Sequence, residues 1–266
     1  MIAKFEDDPI EECCISCDYE FPIESYTEID GEDYTYKITW SSDTIFTSAE
    51  KMFDGYSKLL YLDASNFDTS QITDMKEMFK DCNNLKSINL NNFNTELVTT
   101  MEDMFSGCES LESLDLSNFN NYQLTNMLNM FNGCIELTSI NFNNFVTSSV
   151  TDMNSVFSDC VKLEELDLSS FNTKKVINMQ YMFNRCNDLT SINLNNFDTS
   201  SVTDMTLMFY GCKNLVSLDL SNFDTAQVTS LINMFGECNS LSILNLKNFD
   251  TNKVSSFAGI FQACGS

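Results

Sequence analysis

The chain reads as an α/β solenoid, with a parallel sheet on its concave side and short helices on its convex side. Met-Phe recurs every 26 residues at Met52-Phe53, Met78-Phe79, Met104-Phe105, Met130-Phe131, Met182-Phe183, Met208-Phe209 and Met234-Phe235, and Val156-Phe157 and Ile260-Phe261 keep the register. A second phenylalanine recurs in step at Phe67, Phe93, Phe119, Phe145, Phe171, Phe197, Phe223 and Phe249. The apolar spacing also changes within each unit. A period held without insertion or deletion means that each unit follows the same path and stacks on the one before.

The first 58 residues differ in texture, and the reading divides the chain into an acidic N-terminal region and cap over 1–58 and eight 26-residue units over 59–266. Tyr34, Tyr36, Ile38 and Trp40 alternate like a strand. Ile45, Met52 and Phe53 then resemble the back half of a unit, with Tyr56 in the slot that later holds cysteine. This segment is placed to cover the apolar face that the first unit would otherwise expose.

In the unit 111–136, Leu111, Leu114 and Leu116 read as an opening turn and a short strand with alternate side chains inward. Met127, Met130, Phe131 and Cys134 fall at i, i+3, i+4 and i+7, the spacing of one helical face. Between them the Phe119 column is expected to stack as an aromatic spine. Ile72, Val98, Leu124, Val150, Val176, Val202, Val228 and Val254 close the unit behind it. Thr73, Thr99, Thr125, Thr151 and Thr203 stand where they would cap the helix, and Thr99 with Glu102 has capping-box spacing.

Residues between the inward leucines point outward. Their central column is Asp63, Asn89, Asp115, Asn141, Asp167, Asn193, Asp219 and Asn245, an alternation that reveals a 52-residue super-repeat. Aspartates stacked strand on strand would repel; an Asp between two Asn keeps the hydrogen-bonding ladder at half the charge. The flanking column of Ser87, Ser113, Ser139, Ser191 and Ser217 is interrupted by Glu165. These positions, with Ser113 and Glu165 among them, form a polar strip suited to an extended polar ligand or a flat protein face. As a merely solvated sheet the same strip would be structural.

Cysteine keeps one slot at 82, 108, 134, 160, 186, 212, 238 and 264. Small buried thiols are the expected reading. Disulfides between neighbouring units are a second, since stacked Cα atoms come near the permitted range. A line of identical cysteines does not build a tetrahedral metal site, and histidine is absent from the sequence. Cys13, Cys14 and Cys17 resemble half a zinc or redox site without its second pair.

Lys and Arg total 14 against 39 Asp and Glu, for a net charge of -25, and 15 of those acids lie in the first 58 residues. Such a charge repels phosphate backbones and anionic lipid heads, so neither nucleic acid nor a membrane surface is an expected partner. No stretch is long and apolar enough to span a bilayer, and Met1 to Asp8 lack the apolar core of a secretory signal, as a cytoplasmic protein would. No glycine-rich phosphate loop or isolated acid pair breaks the repeat, so the expectation is no enzyme, no catalytic residues, no cofactor and no metal. Phe257, Ile260, Phe261 and Cys264 finish the last unit without an added polar segment, which suggests another chain, an end-to-end homo-oligomer or a longer chain as cover.

The pattern LxxLDLSNFDTxxVTxMxxMFxxCxx, clearest at 215–240, resembles the 26-residue variant of the BspA-like leucine-rich repeats of bacterial and protist surface proteins, over 59–266. The resemblance implies a right-handed curved leucine-rich-repeat array, displayed at the cell surface or outside the cell. It also implies a non-enzymatic recognition or adhesion module that binds a protein or glycan through the concave sheet. The alternative is a structural scaffold or self-assembling surface-coverage protein that uses its ends. Ordinary leucine-rich repeats place Asn where this chain has Phe67 and Phe119, so their asparagine ladder does not transfer to that column.

Overall fold

The computed structural model describes residues 2–5, 23–28, 35–40 and 45–264. Tyr34, Cys13, Cys14, Cys17 and the closing Gly265-Ser266 lie outside them. Strands β1 (Ile2–Phe5), β2 (Ile23–Glu28), β3 (Thr35–Trp40), β4 (Leu59–Asp63) and β5 (Ser87–Asn89) form one sheet in the order β2-β3-β1-β4-β5. The alternating segment around Tyr36, Ile38 and Trp40 is the strand β3. No pattern in residues 2–5 marks β1, yet it is the link: it runs antiparallel to β3 and to β4, with Ala3 opposite both Tyr36 and Leu62.

From β4 onward the strands are parallel, short and grouped in pairs. β4 pairs with β5, β6 (Ser113–Asp115) with β7 (Ser139–Asn141), and β8 (Ser217–Asp219) with β9 (Ile243–Asn245). In these three pairs the N–H after the first strand, of Ala64, Leu116 or Leu220, donates to Asn89, Asn141 or Asn245 O at 2.9 to 3.0 Å. The pairing therefore follows the 52-residue beat, with each Asp strand joined to the Asn strand after it. Units 163–188 and 189–214 carry no assigned strand.

What joins every unit to the next is the segment expected to be helical. No helix occurs among the described residues. In the unit 111–136, the N–H groups of Met127, Asn129, Phe131 and Gly133 donate to Asp152, Asn154, Val156 and Ser158 O of the following unit at 2.8 to 3.3 Å. The N–H groups between them turn back locally, Met130 to Met127 O, Asn132 to Asn129 O and Cys134 to Phe131 O. Asn129 (φ 54) and Gly133 (φ 76) are left-handed, and residues at both slots recur so in every unit, through Lys51, Glu77, Asp103, Ser155, Tyr181, Leu207 and Asn233 at the first slot. A left-handed residue at every fourth position breaks the run of i to i−4 bonds a helix needs. The spacing i, i+3, i+4, i+7 is met here by consecutive tight turns.

The expected α/β solenoid, a right-handed curved leucine-rich-repeat array with a continuous concave sheet and convex helices, is therefore corrected. The sheet is broken into separate short pairs, tight turns replace the helices, and no closed or continuously curved solenoid results. The threonines expected as helix caps serve the stack instead. Thr99 and Thr125 each donate both N–H and Oγ1 to the carbonyl of the equivalent threonine one unit back. Parallel bridges from Ser48 to Ser256 run through Asp74, Thr100, Asn126, Asp152, Asn178, Asp204 and Ser230 without a gap.

The core follows these ladders. The expected spine pairs from Phe67 to Phe171 at 6.1 to 6.3 Å. A longer stack runs through the Met-Phe phenylalanines, from Phe53 to Phe261, with centroids 5.4 to 6.1 Å apart and ring planes within 16°. Thr147, Thr173, Thr199 and Thr225 are buried beside the spine, and each hydroxyl donates to a carbonyl 25 residues ahead. Three of those carbonyl-bearing residues, Asn172, Asp198 and Asp250, return their N–H to the same oxygen, so a buried polar column is satisfied.

Phe157 stacks on Phe131 at 5.6 Å and Phe183 at 5.7 Å and is fully buried. Phe157→Ala is expected to cost about 3–5 kcal/mol in urea unfolding, while Ile177→Ala, exposed on the next unit, stays within about 0.5 kcal/mol. Equal losses at the two positions would show that the ring stack is not a main source of stability.

Candidate binding face

The outward column is found outward. Asp115, Asn141, Asp167, Asn193 and Asp219 are exposed, as are Ser113 and Glu165, whereas Asp63, Asn89 and Asn245 are half-buried. Each column member accepts a hydrogen bond at Oδ1 from the N–H two residues on. Ser65, Asn91, Ser117, Asn143, Ser169, Asn195, Ser221 and Lys247 donate at 2.9 to 3.2 Å. Asp and Asn are interchangeable in this turn because both offer the same acceptor. The column is thus first a row of turn-forming oxygens, and the expected exchange between units is secondary. The Ser117 hydroxyl and N–H hold the Asp115 carboxyl below the usual range, and the Asn141 amide adds to this. Asp167 is lowered by the Ser169 N–H and then its hydroxyl.

The same device appears at two further slots in most units. Asp68, Asn94 and Asp224 accept from the residue two ahead, as do Asp74, Asn126 and Asp152 at the continuous bridge. Much of the acidity read from composition is therefore turn chemistry. Lys76 bridges to Glu102 at 2.7 Å, and Arg185 to Asp159 at 3.5 Å.

The strand face is not uniform. At other junctions the residue after the opening leucine donates one unit back, as Lys86 does to Leu60 O, Thr138 to Glu112 O, Thr190 to Glu164 O and Ser242 to Val216 O. Glu164 N–H alone makes no such bond, to Thr138 O, and Phe142 N–H makes none to Asp167 O, as is also the case for Leu90, Leu168 and Leu194 N–H at their junctions. At the Glu164 junction the face opens into a groove of about 660 Å³ lined by Thr138, Ser139, Glu164, Glu165, Leu166, Asp167 and residues of the next strand position. A hollow of about 270 Å³ continues it past Asp167 to Phe142 and Ser170. Glu165 was marked in the sequence as a break in a serine column. The opening itself was not, although Phe142, standing where Leu90, Leu116, Leu168, Leu194, Leu220 and Leu246 stand in other units, was its visible signal.

The cysteines from Cys82 to Cys238 are buried and unpaired. Each thiol donates to the phenylalanine carbonyl 29 residues back, as Cys134 does to Phe105 O at 3.2 Å. Burial pushes these thiols far above the usual value, that of Cys238 to about 12. A protonated, hydrogen-bonded sulfur is a poor metal ligand and a poor nucleophile. Among the described residues no cluster of metal-ligating side chains occurs, and no helix is long and apolar enough to cross a membrane.

A stack of 26-residue units carrying an exposed polar strand face defines a repeat protein without an evident reaction centre. Residues 47–142, 114–194, 133–217 and 186–266 match the family described as Mycoplasma protein of unknown function, DUF285, and the chain belongs to that family. No curated protein matches the sequence. Among solved structures, a leucine-rich repeat protein from Bacteroides ovatus ATCC 8483 is similar at 17% identity and a TM-score of 0.35, over 83% of this chain and 67% of that one. A leucine rich cell surface protein from Faecalibacterium prausnitzii A2-165 is similar at 13% identity and a TM-score of 0.23, over 76% and 83%. Both are distant resemblances to leucine-rich-repeat proteins and do not single out the BspA-like kind.

Two outcomes follow from this chemistry. Asp115→Asn, which keeps the turn acceptor and loses only the charge, should cost less than Asp115→Ala, which removes the acceptor and should cost about 0.5–1.5 kcal/mol in denaturant unfolding; an equal loss for Asn would mean that the charge, not the turn, matters. A thiol whose folded pKa is raised adds stability below its unfolded value of 9.0 that is lost as pH climbs above it. The melting temperature should therefore fall steadily above about pH 9, and a Cys134→Ala/Cys160→Ala variant should show a shallower fall; identical pH profiles would reject the buried-thiol account.

Proposed function

We propose that the chain is a non-enzymatic recognition or adhesion module that binds a protein, in preference to a glycan, through the outward strand face. One observation carries the reading. Asp115, Asn141, Asp167, Asn193 and Asp219 are exposed in a line, and each is held in one orientation by its own turn bond, so a row of polar groups is presented with little ordering entropy left to lose. The face is polar and largely without exposed aromatics, which suits an extended partner better than a small apolar metabolite. The BspA-like resemblance of the repeat sequence supports display at the cell surface.

The test is capture of partners on immobilised protein at physiological salt, beside an Asp115→Lys/Asp219→Lys variant whose unfolding curve matches the parent. A partner held by the parent and weakened about tenfold or more by the variant supports recognition by this face. Partners held equally by both would favour a scaffold or surface-coverage role that uses other surfaces.

A further inference from the structure

We infer that the opening between units 137–162 and 163–188 is a docking groove for an extended, lysine-rich polypeptide segment, an inference that rests on the strand face being a recognition surface. The opening has a structural cause. Phe142 fills a slot that is leucine in most units, and its ring lies 5.0 Å from Phe171, 5.3 Å from Phe145 and 6.0 Å from Phe157. Phe145 and Phe171 still stack at 6.1 Å, so the units stay joined at the spine. This larger ring stands at the one junction where the bond from the residue after the opening leucine, Glu164 N–H to Thr138 O, is missing.

The consequence is a set of unpaired backbone groups facing one gap. Glu164 N–H and Thr138 O lie at one end, Phe142 N–H and Asp167 O at the other, and among the described residues none of the four has a backbone partner. The first pair is the distinguishing one, since the equivalent N–H groups of Lys86, Glu112, Thr138, Thr190, Val216 and Ser242 are all paired, Thr138 to Glu112 O at 3.0 Å, whereas the second kind is open also at Leu90, Leu168 and Leu194. Donors and acceptors along both walls match an extended main chain, which offers both in alternation. A small cation would use only the carboxylates and leave the N–H groups open.

The charge of the groove selects the side chains of that segment. Glu164 and Glu165 bring two exposed carboxylates without an ion-pair or hydrogen-bond partner among the described residues, Asp167 a third, and no lysine or arginine lines the groove. Alternate side chains of an extended chain fall on one side, so a lysine at every second residue would set its ammonium groups over this row while the residues between face water. With a chain charge of -25, encounter with such a segment is also favoured at long range.

The probe is a short fluorescein-labelled peptide of alternating Lys and Ser, titrated against the whole chain by fluorescence anisotropy at physiological salt, beside a Glu-Ser peptide and free spermine. Saturable binding of the Lys-Ser peptide is expected, weakened about tenfold by Glu164→Gln/Glu165→Gln and by Phe142→Leu, which closes the gap without altering charge. Asp115→Lys/Asp219→Lys, placed outside the groove, should weaken it less. Phe142→Leu is also expected to raise hydrogen-exchange protection at Phe142 and Glu164, a check that it folds and closes as intended. Absence of binding, binding unaffected by Phe142→Leu, or equal displacement by spermine of the same charge would overturn the groove. If the Asp115 and Asp219 substitutions abolish partner capture while those at Glu164 and Glu165 do nothing, the groove fails and strand-face recognition stands. Peptide docking in the groove with partner capture indifferent to Asp115 and Asp219 would instead support the groove and confine recognition to it.

Discussion

The hydrogen bonds from alternate residues of each turn segment to the carbonyls of the next unit are the constraint on which the rest depends. In the unit 111–136, four such bonds leave from Met127, Asn129, Phe131 and Gly133, and they require left-handed residues at Asn129 and Gly133. Because these bonds run along the stack, they fix the advance per unit, and that advance places Phe131 over Phe157 and brings the Cys160 thiol to the Phe131 carbonyl. At Gly107 the packing is tight enough that a Cβ would stand 2.3 Å from Asp81 Oδ1, so glycine there answers both to the backbone and to its neighbour.

Strand pairing is subordinate to this ladder. It is present at three of the four junctions where an Asp position precedes an Asn position, fails at the fourth, around Leu166 and Ile192, and the stack continues regardless through Asp152, Asn178 and Asp204. A face that does not have to hold the molecule together is free to vary, and Glu165, Phe142 and Ile243 are variations of that kind. The division of labour between a bonded turn side and a loosely paired strand side is what lets one stack carry a local groove.

The unit length, the register and the buried columns were legible because burial is periodic: Phe119, Val150 and Cys134 are as enclosed as their spacing implies. The helices were misread for a physical reason. A row of tight turns and a short helix bury the same i, i+3, i+4, i+7 side chains, and only backbone handedness separates them. Glycines at 55, 107, 133 and 211 in one slot were the available sign, masked by Asp81, Asp159, Arg185 and Glu237 in that slot elsewhere. The outward row from Asp63 to Asn245 was legible as a row, but not its turn bonds, since Asp and Asn suit a ladder and a turn equally. The buried threonines at 173, 199 and 225 passed unnoticed because a threonine after Asp or Asn reads as loop.

The alternation along Asp115, Asn141, Asp167 and Asn193 also bears on how such a chain can change length between generations. Recombination between repeats that removes 52 residues leaves every Asp beside an Asn, as before. Removing 26 residues keeps the turn bonds in register, yet where an Asn unit is lost it sets one carboxylate against another across a junction, where like charges at strand spacing repel. Loss of an Asn unit alone is therefore disfavoured relative to loss of a pair, a bias towards even steps in copy number that the backbone by itself does not impose.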